Sequence, residues 1–330
     1  MVSPIRFGLI GAGRWGKVYI RTIEALSNRC HLTYLCTNQA ANAVLVKPTV
    51  HIVPHWRACL QADDCDALIV ATPPHTHAEI VAASLEAGKP CIVEKPLCVD
   101  LETAKRLDEL VRATGVPVLV DYTHLFDSAY QALKVHIQQS GEPIRVVMSE
   151  GMAFGPFRRE TAALWDWCPH DVGLCLDLIG EAPRLIDVLG GPCSPDGVPE
   201  QLSLRLDFPS SACAWIHAGR LSWKKRRHLT VWTDTWLYHW DAQSHERLVR
   251  YPARFSERYM VPLPASMQPE TLMVESQQTP MERMVAYFLD GIRGGDRRYF
   301  GTSASMVVTQ VLAECERKLN REHTWHQTNI

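Results

Sequence analysis

IGAGRWGKVYIRTIEAL, residues 10–26, decides how this chain is read. Gly11, Gly13 and Gly16 fill a Gly-x-Gly-x-x-Gly spacing, directly after the apolar run IRFGLI and directly before an amphipathic segment. Glycines so placed let a strand reverse tightly, expose backbone N–H groups and open a helix whose N-terminus attracts a pyrophosphate. On its own the spacing also fits a turn built only for packing. The strand before it and the helix after it favour a dinucleotide site, with Arg14 and Trp15 as flanking candidates. Within the helix, Trp15, Val18, Tyr19, Thr22, Ile23 and Leu26 recur at helical spacing and form the stripe that packs back on a sheet.

Outward from that turn, residues 1–121 alternate apolar runs with amphipathic stretches: IRFGLI, HLTYLC, ALIVAT, CIVE and VPVLVD. The alternation predicts an α/β dinucleotide-binding Rossmann domain with a doubly wound parallel sheet. One helix is expected from about Thr76 to Ala87, stopped by Gly88 and Pro90, and another from an Asp100 N-cap to Gly115 and Pro117. Residues 122–330 read differently. A single helix-like stretch, CLDLIG, precedes the strand-like runs PRLIDVLG, QLSLRLDF, ACAWIHAG, HLTVWT and TWLYHW, which predict an α+β domain with a large, mostly antiparallel sheet. Residues 251–280 read as a long proline-containing loop, and two helices close the chain, Met281 to Ile292 and Ser303 to Leu319.

Bulk properties narrow the partners. A net charge of -2 over 330 residues supplies no field for nucleic acid or an anionic membrane. No apolar run reaches the roughly 18 residues of a membrane span, and the N-terminal residues lead straight into a strand, so a cytoplasmic location is expected. The eleven cysteines form no Cys-x-x-Cys pair and read as small core residues. His75, His77, His124 and His170 lack neighbours at metal-ligand spacing, so no metal is expected. The second strand ends in Cys36, Thr37 and Asn38, without the acid that usually holds the adenosine ribose. A 2′-phosphate is then not repelled, and NADP is slightly preferred over NAD. Thr37 and Asn38 serve equally well as a strand-ending turn.

Two further stretches, ATPPHTH at 71–77 and EKP at 94–96, lie at carboxyl ends of the expected parallel strands, where open α/β sheets bind ligands. Together with GAGRWG they make the whole chain resemble the glucose-fructose oxidoreductase and inositol dehydrogenase family, Gfo/Idh/MocA. The resemblance implies that Ala71, Thr72, Pro73 and His77 border the nicotinamide ribose, with Glu94 and Lys95 beside the ring. It further implies that Lys95, Asp166 and His170 are catalytic, the last two matching the family's Asp-x-x-x-His in LWDWCPHDVGLCLDLIG. An ammonium next to a reacting oxygen stabilises the alkoxide that develops as hydride moves, and an imidazole suits proton transfer near neutral pH. Pro169 predicts that the helix begins near it, with His170 in the first turn.

Tyr122 and His124 are candidate substrate contacts or a domain hinge. Arg158, beside Arg159, is a candidate oxyanion clamp or a solvated loop arginine. The run from Lys224 to Arg227 is shorter than the corresponding family segment and reads as the start of a surface strand. The resulting reading is an NAD(P)-dependent oxidoreductase acting on a sugar, cyclitol or nucleotide sugar, a homodimer or homotetramer through the C-terminal sheet. The alternatives are a catalytically silent cofactor-binding regulator and an imine or tetrapyrrole reductase.

Overall fold

A computed structural model describes residues 3–157, 161–253, 268–274 and 276–328, with backbone alone at 40 and 322–328. Arg158, Arg159 and half of the 251–280 stretch lie outside the described residues. The chain divides into two compact units, Met1–Thr123 with Gln278–Thr309, and His124–Gln277 with Gln310–Ile330.

The first unit runs β1 (Ile5–Ile10), α1 (Arg14–Ala25), β2 (Cys30–Cys36), β3 (His51–Val53), α2 (Arg57–Gln61), β4 (Ala67–Val70), α3 (His77–Glu86), β5 (Cys91–Glu94), α4 (Leu101–Thr114) and β6 (Val118–Asp121). All six strands pair in parallel, in the order β3-β2-β1-β4-β5-β6. Strands β4, β5 and β6 are buried along their whole length, as continuous apolar runs must be when helices cover both faces. Asp100 caps α4 by accepting from the Thr103 N–H at 2.8 Å, and Gly115 ends it at φ 64°.

The second unit holds α5 (Ser128–Ser140), β7 (Val146–Phe154), α6 (Ala163–Ile179), β8 (Leu185–Gly190), β9 (Gln201–Asp207), β10 (Cys213–Gly219), β11 (Leu221–Trp232), β12 (Trp236–Asp241), β13 (Leu248–Pro252) and β14 (Glu270–Thr271). Its eight-stranded sheet, ordered β14-β13-β12-β11-β7-β10-β9-β8, is antiparallel except where β7 meets β10. Helix α5 and strand β7 were not among the elements expected from sequence, although Asp127 caps α5 through the Ala129 and Tyr130 N–H groups.

Helix α7 (Pro280–Gly291) and the start of α8 (Ser303–Thr328) belong to the first unit, whereas sequence reading put both closing helices in the second domain. The reason is packing: α7 sets Phe288 against Phe7 of β1, ring centroids 6.0 Å apart, and Asp290 pairs with Arg29 at 2.5 Å. Among the described residues no helix is long and apolar enough to cross a membrane.

Candidate active site

In the first unit the expected cofactor residues follow neighbouring strands at one end of the sheet. Gly11 leaves β1 at φ +102°, and a Cβ there would overlap the Ala71 carbonyl at the end of β4. The Ala71 N–H donates to Ile10 O at 2.8 Å, so the two strand ends are laced together. A Cβ on Gly16 would overlap the Gly11 carbonyl. Packing therefore accounts for both glycines. It does not account for Gly13, which is exposed and has nothing within 4 Å of its would-be Cβ. Gly13 is the N-cap of α1, which has no side-chain cap and no acid in its first turn. The N–H groups of that turn are left for an outside acceptor, as an incoming phosphate requires, with Arg14 exposed beside them. Trp15, half-buried, starts the packing stripe.

The Thr72-Pro73 turn is tied to the Lys95-Pro96 turn through His77. Its Nδ1 lies 2.9 Å from Pro96 O and its Nε2 2.8 Å from Thr72 O. Burial holds this imidazole below its ordinary pKa, against the two carbonyls, which favour the charged ring. His77 is thus engaged on both edges and fixes two turns. Thr37 behaves similarly: its hydroxyl accepts from Asn42 Nδ2 at 2.9 Å and from the Gln39 N–H at 3.2 Å, while Asn38 is exposed.

Glu94 ends β5 directly opposite Asp121 on β6, and both carboxyls are almost fully buried. Burial, then the neighbouring Asp121 charge, pushes the Glu94 carboxyl well above the usual range, so it is the partner that holds a proton and donates it to Asp121. Asp121 also accepts from Tyr19 Oη at 2.6 Å and from Thr123 Oγ1. Glu94 Oε1 is buried with no hydrogen-bond partner among the described residues. A group able to donate an N–H fits that orphan, as the carboxamide of a nicotinamide would. Tyr19 was read only as part of the packing stripe and Asp121 was not singled out; the acid at the end of VPVLVD was the available signal. Tyr122, read as a substrate contact or hinge, is buried, and its phenol is held far above the usual range by burial.

In the second unit, α6 corrects one expectation. Pro169 is the seventh residue of the helix and not near its start, so Asp166 lies in the first turn and His170 one turn further on. The dipole favours the Asp166 carboxylate, whereas His170 lies beyond the first turn, where the dipole acts most strongly. Residues four apart share one helix face, so the Asp-x-x-x-His spacing does align its two side chains. Asp166 Oδ2 accepts from Arg220 Nη2 at 3.1 Å, while Arg220 also reaches Glu200 at 3.1 Å and Thr161 O at 2.7 Å. His124 packs edge-on against His170, ring centroids 4.8 Å apart, and lies 6.2 Å from Trp240.

The next residue along, Asp171, is fully buried. It accepts from Ser149 Oγ at 2.6 Å and pairs with Arg227 at 2.7 Å. A Cβ on Gly151 would overlap both Asp171 and Arg227. The basic run therefore splits: Lys224 and Lys225 are exposed, Arg226 reaches Glu150 at 2.9 Å, and Arg227 turns inward to hold α6 on the sheet. Arg220 was not singled out from sequence, and Arg227 was read only as part of a surface run, because Asp166 and Asp171, the acids that they hold, lie more than 50 residues away. Among the described residues there is no group of three or more potential metal ligands.

Residues 5–122 match the model of an oxidoreductase family with an NAD-binding Rossmann fold, GFO_IDH_MocA. The chain belongs to the GFO_IDH_MocA family. It is 31% identical over 186 residues to inositol 2-dehydrogenase 2 of Paenarthrobacter aurescens, covering 54% of this chain and 56% of that one. It is 29% identical to the scyllo-inositol 2-dehydrogenase (NAD(+)) of Bacillus subtilis, covering 67% of this chain and 69% of that one. A solved structure from Magnetospirillum magnetotacticum MS-1, classed provisionally as an oxidoreductase, superposes with a TM-score of 0.84 at 35% identity, covering 95% of this chain and 100% of that one. The chain spans about half the length of the first curated relatives that it matches. As a GFO_IDH_MocA member it carries the Asp-x-x-x-His pair on one helix and Lys95 after a parallel strand.

Proposed function

We propose that this chain is an NAD(P)-dependent oxidoreductase acting on a carbon that bears a hydroxyl or keto oxygen in a cyclitol or sugar. The observation that carries the reading is the α6 pair: Asp166 and His170 one turn apart, with Asp166 gripped by the buried Arg220. A protein that only binds a dinucleotide has no use for a buried arginine that fixes an acid beside a histidine.

Nicotinamide, when bound, supplies the hydride acceptor or donor. Gly13 and the first turn of α1 would hold its pyrophosphate, and Glu94 would meet its carboxamide. The ammonium of Lys95 stabilises negative charge on the reacting oxygen. His170 exchanges the proton of that oxygen, and Asp166 orients the hydroxyl and the imidazole. The protonated state of Glu94 keeps one carboxylate charge, not two, beside Lys95.

Three finer points belong to the same reading. The absence of an acid after β2 supports NADP over NAD, Arg14 being the nearby cation. The eleven cysteines, all free, support a reducing cytoplasm. Trp215 and Met148, 39% and 45% exposed on the sheet, support a homo-oligomer that covers them. The test is a titration of the purified chain with NAD and with NADP, followed by a reduction assay over cyclitols, sugars and nucleotide sugars. Binding of either dinucleotide with turnover of at least one polyol is expected. Binding without turnover of any of them refutes the catalytic reading.

A further inference from the structure

Glu94 and Asp121 form a buried acid pair that the hydride and proton steps leave unused. They stand opposite each other where β5 and β6 end and share a hydrogen bond, so one of the two carboxyls carries a proton. Asp121 is otherwise surrounded by donors: Tyr19 Oη of helix α1 at 2.6 Å, and Thr123 through both its hydroxyl and its N–H. Asp121 is thus built to be the carboxylate. Glu94 holds the proton on one oxygen, and its Oε1 stays buried with no hydrogen-bond partner among the described residues. The titratable groups that face the pair are Tyr19 from α1 and Lys95 at the end of β5.

The charges change with the state of the cofactor. Without a dinucleotide, the Lys95 ammonium is offset by one carboxylate. An oxidised nicotinamide ring is a cation and a reduced ring is neutral, so a ring whose carboxamide meets Glu94 Oε1 adds a positive charge in one state and none in the other. Two cations in a buried site favour two carboxylates, and the protonated Glu94 can become the second.

We propose that the Glu94–Asp121 pair senses the redox state of the cofactor, releasing its proton to solvent when the oxidised dinucleotide binds and keeping it when the reduced form binds. The Glu94 O–H bond is the one that breaks, and its electron pair stays on Glu94. A nearby cation lowers the pKa of the pair, so binding of the oxidised form strengthens as pH rises from the value in the complex to that of the free pair, and binding of the reduced form lacks this dependence. Tyr19 is a positioning residue, since its hydroxyl stabilises the Asp121 carboxylate that the second ionisation places beside another. The proposal deepens the oxidoreductase reading and rests on it for the nicotinamide beside Glu94.

Calorimetry tests this without turnover. The full chain is titrated with the oxidised and reduced forms of NAD and of NADP from about pH 5 to about pH 9, in buffers of different ionisation enthalpy so that the protons exchanged are counted. Comparing the two forms of one dinucleotide cancels the titration of its phosphates. Release approaching about one proton per chain is expected with the oxidised form alone, with an oxidised-to-reduced affinity ratio that rises about tenfold or more with pH. Glu94→Gln keeps an N–H for Asp121 and has no proton to give, so its ratio is expected to be flat. Tyr19→Phe is expected to move the rise to higher pH by about one unit, which a purely structural tyrosine would not do; it decides if the glutamine variant does not fold. Lys95→Arg, whose guanidinium stays charged, is expected to retain the release.

A flat ratio in the unmodified chain, release that persists in Glu94→Gln, or release lost in Lys95→Arg overturns the proposal. Of these, the flat ratio with a dinucleotide bound leaves the oxidoreductase standing. Proton release that Glu94→Gln abolishes, without turnover of any polyol, supports the sensor and refutes the catalytic reading.

Discussion

At the scale of single residues, the three glycines of the opening motif separate by what they touch. Gly11 and Gly16 are needed by the fold, because a Cβ at either would strike main-chain carbonyls. A Cβ on Gly13, the N-cap of α1, would meet nothing among the described residues. Gly13→Ala is therefore expected to keep the melting temperature within a few degrees while dinucleotide affinity falls about tenfold or more, and Gly16→Ala to cost about 1–3 kcal/mol of stability in urea titration. Glu94 yields a pH dependence. Its folded-state pKa is raised above the ordinary 4.5, so folding takes up a proton, and the Glu94 contribution to stability declines as pH rises from about 4.5 through the raised value. Glu94→Gln, neutral at every pH, should flatten that part of the profile, measured as urea midpoints across the acid-to-neutral range. An unaltered slope would show that Glu94 does not hold the proton.

At the scale of elements, α6 is the part on which function turns, and it departs most from its sequence reading. Pro169 removes one helical hydrogen bond and crowds the preceding turn, together costing about 3 kcal/mol in an ordinary helix interior, yet the helix runs through it. Burial of Trp165, Cys168, Val172, Leu174 and Cys175, the Trp165 Nε1 to Glu316 bond at 2.9 Å, and the Asp171–Arg227 pair outweigh the loss. Arg227→Leu strands a buried carboxylate and is expected to cost about 3–5 kcal/mol, whereas Arg227→Leu with Asp171→Leu should cost distinctly less. Chemical denaturation of both variants decides; equal losses would mean that the pair is not what pins α6.

Five strands of the Rossmann half were legible because each announces itself locally, as an apolar run closed by a turn or a cap such as Asp100, whereas β3, three residues at the edge of the sheet, was not expected. Nor was the central strand β7. Its sequence, VVMSEGMAF, is interrupted by Gly151, and its partners β10 and β11 lie about 70 residues further along the chain, so its register is set by tertiary pairing.

At the scale of the whole molecule, the chain forms two units, and the return of 278–309 to the first was not legible. That return depends on contacts such as Phe288 with Phe7, which no local pattern encodes. Of the candidate site, the motif residues could be named from the sequence as expectations, while the arginines, the buried acid pair and the engagement of His77 emerged only from packing. Trp215 and Met148 on the second sheet are expected to be covered by a second copy of this chain. Trp215→Glu with Met148→Glu should shift the mass seen by light scattering from oligomer to monomer, and an unmodified chain that is already monomeric would refute this. The most direct test of the oxidoreductase reading is a paired measurement on Lys95→Ala, dinucleotide affinity alongside polyol-dependent cofactor reduction. The expected result is affinity within about threefold of the unmodified chain with turnover reduced at least about a thousandfold. Turnover retained by the variant, or an unmodified chain that binds no dinucleotide, would contradict it.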